Sequence, residues 1–156
     1  MGVNPQLGER TTVLACATVI EEMQTLLPPG VSHEVLDFGL HVNPDERRRT
    51  LQHSIDAASA TADTVILGYG LCSQAVVGLK ANNCTLVLPR VDDCIGIFLG
   101  SAAAHRQQAR AHPGTYYLTK GWIEAGDSPF ADYPNMVERF GQERADRLIR
   151  IMLKNY

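Results

Sequence analysis

The chain predicts an α/β fold: a doubly wound, mostly parallel five-stranded sheet with helices on both faces, flavodoxin-like or Rossmann-like. Three observations predict it. Short apolar runs alternate with helical patterns from end to end. The runs are too apolar for strands with one wet face and read as buried parallel strands. Strand–helix alternation implies βαβ units, and right-handed crossovers then cover both faces of the sheet. At 156 residues, a single domain is expected, with neither repeats nor low-complexity tracts.

Each element has a local reason. Thr12-Val-Leu-Ala-Cys-Ala17 is a nearly all-apolar first strand. A short helix follows over Ile20 to Leu27, stopped by Pro28-Pro29-Gly30. His33 to Phe38 alternates partially and reads as the second strand. Asn43 and Pro44 are an N-cap and a first helical residue; Leu51, Ile55 and Ala58 give that helix its apolar stripe. Arg47-Arg48-Arg49 reads as a solvated face of the same helix.

Thr64-Val-Ile-Leu67 is the third strand, ending in Gly68-Tyr69-Gly70, and Ser73 to Lys80 is a short helix candidate. Thr85 to Leu88 is the fourth strand, closed by Pro89. Asp93 caps a helix predicted to run on to Arg110. Thr115-Tyr-Tyr-Leu118 is the fifth strand. Trp122 falls in a Gly-, Ser- and Pro-rich loop, and one amphipathic helix is expected over Asn135 to Leu153.

Composition excludes several function classes. Hydrophobic residues at 45% and a net charge of −3 are incompatible with intrinsic disorder. The longest apolar run, Val13 to Ile20, is eight residues. A membrane-spanning helix needs about 18 or more. The polar N-terminus lacks a signal core, so a cytoplasmic location is expected. A pI near 5.9 argues against a nucleic-acid surface.

In a doubly wound sheet, ligands bind outside the carboxyl ends of the strands, where strand order reverses. Cys16 ends the first strand. Gly68, Tyr69, Gly70 and Cys72 follow the third; Arg90, Asp92, Asp93 and Cys94 follow the fourth. Trp122 follows the fifth, and Cys84 precedes the fourth and belongs at the opposite edge. Cys16, Cys72 and Cys94 thus fall on one edge of the predicted sheet. Each alone is ordinarily a small apolar core residue. Together they form a candidate thiolate cluster, invisible to motif counting because the gaps are 56 and 22 residues. Predicted helix N-termini at Cys72 and Cys94, and the Arg90 charge, favour thiolates.

Three thiolates hold zinc with an open fourth position, or an iron–sulfur cluster with one iron free. Asp92 or Asp93 is a candidate fourth ligand, against the plainer capping role of Asp93. Gly68-Tyr69-Gly70 departs from the dinucleotide fingerprint, because residue 73 is serine and it follows the third strand. Tyr69 reads equally as core aromatic or site donor. No G-x-S-x-G elbow occurs. Of the histidines, only His41 is placed near a strand's carboxyl end.

The stretches Val13-Leu-Ala-Cys16, Leu67-Gly-Tyr-Gly-Leu-Cys72, Val77-Gly-Leu79, Pro89-Arg90 and Asp93-Cys94 form a combined pattern. Phe98-Leu-Gly-Ser101, Pro113 to Tyr117 and Gly121-Trp-Ile-Glu124 complete it. On these, the chain resembles the uncharacterised domain-of-unknown-function family 1638, found in methanogens and anaerobic bacteria. The resemblance implies a cytoplasmic α/β protein whose motif cysteines match Cys16, Cys72 and Cys94. It also implies a setting near corrinoid or one-carbon metabolism. The family pattern usually has His at Asp92, and members continue past Tyr156 with a further strand and helix.

The leading expectation is therefore a metal or iron–sulfur-binding protein. Its ligands are Cys16, Cys72 and Cys94, with Arg90 balancing charge and Tyr69 and Trp122 shaping the pocket. Two rivals stand beside it. One is a metal-free cysteine enzyme acting on a small anionic substrate. The other is a non-catalytic assembly subunit, docking a protein partner or a second copy through the last helix. Neither nucleic acid nor membrane is expected as a partner.

Overall fold

A computed structural model describes residues 10–37, 43–71, 74–125 and 131–154. Four strands form one sheet: β1 (Thr11–Cys16), β2 (Ser32–Leu36), β3 (Thr64–Gly68) and β4 (Thr85–Val87). All pairings are parallel, in the order β2-β1-β3-β4. Seven helices lie among the described residues. They are α1 (Ala17–Met23), α2 (Pro44–Ala58), α3 (Cys94–Phe98), α4 (Ala102–Ala111), α5 (Lys120–Ala125), α6 (Tyr133–Phe140) and α7 (Gln142–Lys154).

The central strands are the most apolar, as parallel packing requires. From Val13 to Cys16, β1 is buried on both faces. Val65 and Leu67 of β3 join it, while edge strand β2 is exposed from Ser32 to Val35. Leu51 and Ile55 of α2 complete the core. Burying each such side chain stabilises the fold by about 1.5–3 kcal/mol.

Several expectations are corrected. The sheet has four strands, not five: Thr115 to Leu118 joins no ladder among the described residues. Its would-be neighbour β4 offers only three residues, and the Tyr117 ring instead stands edge-on to His105, with centroids 5.8 Å apart. In place of the helix expected over Ser73 to Lys80, residues 75–78 form turns after a 3-10 position at Gln74, with Gln74 at φ 55° and Gly78 at φ 85°. The predicted helix from Asp93 to Arg110 is two helices. Gly100, at φ 80°, ends the first, and Ser101 recaps the second by accepting from the Ala104 N–H at 3.0 Å.

The last helix is also two. Gly141 takes φ 79° and ψ 157°, a region essentially confined to glycine, and breaks α6 from α7. Trp122 lies in helix α5 rather than in a loop. Within the arginine triplet, Arg48 pairs with Asp45 at the surface and Arg49 is exposed, but Arg47 is only 2% exposed. Arg47 stands four residues before Leu51 and so shares the buried face of α2.

Candidate functional site

Because all four strands run parallel, their carboxyl ends share one edge. The order reverses at β1: β2 lies on one side and β3 on the other. Cys16 is the last residue of β1 and the N-cap of α1, and it is sealed at 2% exposure. Its Sγ lies 3.1 Å from the buried Thr18 hydroxyl. Cys16, Cys84 and Cys94 form no disulfide, and Cys84 precedes β4 at the other edge as expected. Cys72, like His41, lies outside the described residues.

The loop after β3 is packed backbone to backbone against its neighbours. Gly68 pairs with Ala15, and a Cβ on Gly68 would sit 2.6 Å from the Ala15 Cβ. Tyr69 is buried within the core cluster. A Cβ on Gly70 would lie 2.6 Å from both N and Cα of Asp93. The next residue, Leu71, donates its N–H to the Val91 carbonyl at 3.1 Å. The loops leaving β3 and β4 are thus joined immediately before Cys72 and Cys94 in sequence.

Asp93 takes the capping role. Its carboxylate accepts from the Gly96 N–H at 3.1 Å and lies 3.5 Å from His105 Nδ1. Cys94 opens α3 and is half-buried. Asp92 points outward towards Arg106, 4.0 Å away and exposed on both sides, and Arg90 is also exposed. The buried cation of the fold is instead Arg47. Gly121 brings α5 onto α1, since its Cβ would lie 2.8 Å from Thr18 Cα.

A cavity of about 360 Å³ opens beside Cys94. It is lined by Asp93, Cys94 and Ile95 from the start of α3, by Thr115, Tyr116 and Tyr117, and by Trp122 of α5. The structure therefore unites three of the predicted site residues, Asp93, Cys94 and Trp122. Cys16, Arg90 and Asp92 are not among the lining residues. Sequence reasoning missed Tyr116, Tyr117 and His105. The Tyr-Tyr pair was the available signal, but its strand-like composition absorbed it. Tyr117 also carries a buried hydroxyl without a hydrogen-bond partner.

Among the described residues, no group of three or more His, Cys, Asp or Glu could share a metal ion. Nor, among them, is any helix long and apolar enough to cross a membrane. The chain belongs to a family described as "Protein of unknown function (DUF1638)", which it matches over residues 35–156. Cys72 and Cys94 fall inside that match, and β1 with Cys16 precedes it. Neither a curated protein nor a solved structure matches the chain.

Proposed function

We propose that this member of the DUF1638 family binds a metal centre, zinc or an iron–sulfur cluster, through Cys16, Cys72 and Cys94. On this reading the sheet is doubly wound and the centre occupies the crevice where strand order reverses. One observation carries it: the Leu71 N–H to Val91 carbonyl bond ties together the two loops that lead into Cys72 and Cys94. Cys16 ends the strand beside β3. Parallel pairing thus sends three cysteine-bearing loops out of one sheet edge.

Thiolate is the form that binds metal, and three thiolates leave one coordination position for an exogenous group. A reducing compartment, such as the cytoplasm of an anaerobe, keeps such thiols available. The test is anaerobic purification with elemental analysis and visible absorbance. A stoichiometric centre is expected, lost in Cys16→Ser, Cys72→Ser and Cys94→Ser and retained in Cys84→Ser. Colourless, metal-free protein that takes up neither zinc nor iron with sulfide, and whose thiols alkylate independently, overturns the proposal.

A second reading, thiol chemistry without metal, is favoured by one feature: Cys94 lines an open cavity whereas Cys16 is sealed. It predicts one fast-alkylating thiol, Cys94. Joint protection of Cys16, Cys72 and Cys94 by bound metal counts against it.

A further inference from the structure

The cavity beside Cys94 has a chemistry that the thiols do not explain. Three of its lining residues are aromatic, Tyr116, Tyr117 and Trp122. Among the described residues, its only charged lining residue is Asp93, and no Lys or Arg side chain lines it. An anionic ligand would meet a carboxylate and aromatic side chains, with no compensating Lys or Arg among the described lining residues. A cation would be attracted by both. Methylated ammonium groups are the cations best suited to such walls, because their methyl surface is apolar and their charge is weakly hydrated. At about 360 Å³, the space is large enough for a ligand of choline's size.

We propose that this cavity binds a methylated ammonium group, with Tyr116, Tyr117 and Trp122 as the aromatic cage and Asp93 as the counter-charge. The site is complete without the metal centre and stands or falls apart from it. Asp93 is held in place for this role by the Gly96 N–H, which fixes its carboxylate at the start of α3. Its side chain is 31% exposed, so its charge is only partly screened by water.

Trp122 is the only tryptophan, so its single indole N–H resonance reports directly on the cavity. Choline chloride is titrated against ¹⁵N-labelled protein, beside its uncharged tert-butyl analogue and sodium chloride. Choline should shift the indole resonance saturably, and the neutral analogue should bind about tenfold more weakly. Asp93→Asn keeps a capping side chain, so it should fold, and should weaken choline about tenfold while leaving the analogue unchanged. Tyr117→Leu, which removes a ring and no charge, should also weaken choline selectively.

A peptide carrying trimethyllysine, run in parallel, separates a protein-borne ammonium group from a free one; tighter binding of either supports the class. Equal affinity for choline and its neutral analogue, or an indole resonance indifferent to choline and the peptide alike, overturns the proposal. Metal content measured on the same samples keeps the two readings apart. Choline binding by metal-free protein supports the cage alone, and a metal centre without choline binding supports the thiolate cluster alone.

Discussion

Gly70→Ala tests whether the site edge is built by backbone contact. The added Cβ would lie 2.6 Å from the N and Cα of Asp93 and 2.8 Å from its carbonyl carbon. Ordinary van der Waals contact begins near 3.4 Å, so the two loops must part by about 0.8 Å. The obstacle is backbone on both sides, and no rotamer change relieves it. Separation also stretches the neighbouring bond from the Leu71 N–H to the Val91 carbonyl. Overpacking of this kind costs about 3 kcal/mol, which for a chain of this length lowers Tm by about 6–12 °C. Urea unfolding followed by far-UV circular dichroism measures the first figure, and calorimetry the second. Metal content, where the thiolate proposal holds, should fall with it, because the same movement separates the loops leading into Cys72 and Cys94. Gly70→Ala protein with unchanged midpoint and unchanged Tm would refute the reasoning and show that the loops do not touch there.

Arg47→Ala should destabilise by about 3 kcal/mol, since it leaves a cavity where a large, fully buried side chain packs on the core face of α2. Arg49→Ala, at an exposed position of the same helix, should stay within about 0.5 kcal/mol in the same urea titration. Ser101→Ala removes the cap of α4 and should cost about 1 kcal/mol, with Ser101→Asn restoring most of it. The Tyr133 hydroxyl donates to the Asp146 carboxylate, which raises its pKa above the usual 10.0. A raised folded pKa means that the tie between α6 and α7 is intact below the unfolded tyrosine pKa and is lost as pH climbs through the folded one. Tyrosinate absorbance should therefore show one late-titrating tyrosine that disappears in Tyr133→Phe. Its absence from the wild-type titration would contradict the assignment.

The fold was legible where burial leaves a strand little choice. β1 and β3 were readable because a parallel strand covered on both faces must be apolar at successive positions, not at alternate ones; β4, an edge strand with Thr85 and Val87 exposed, was readable from its β-branched composition. The helix starts at Pro44 and Cys94 were readable because Asn43 and Asp93 carry capping side chains. The breaks at Gly100 and Gly141 were harder. Glycine inside a helical pattern is only mildly unfavourable, and its positive φ is selected by tertiary packing rather than announced by the residue. Arg47 was misread for a different reason. Its spacing from Leu51 already placed it on the apolar stripe, but three consecutive arginines suggest a solvated surface. At the site, the edge shared by the cysteine-bearing loops followed from strand direction alone. The aromatic walls did not, because Thr115 to Leu118 has strand composition and its actual place depends on the partners available to it.

Cys16 and Cys94 sit at the same edge under opposite conditions. Cys16 is locked between a buried strand and the Thr18 hydroxyl, and 2% exposure leaves it closed to solvent. Cys94 is held by a capped helix start and opens on a cavity. A reagent, substrate or metal carrier arriving from water therefore meets Cys94 before Cys16. A centre shared by both thiols would have one side set in the core and one side turned to the aromatic walls. Such an arrangement separates holding from access: the strand supplies rigidity, and the loops supply entry. On that proposal, apolar strand residues and Asp93 would both serve one site. The former hold Cys16 in place, and the latter orders the helix start that carries Cys94 and is the only charged residue among the described residues of the cavity wall.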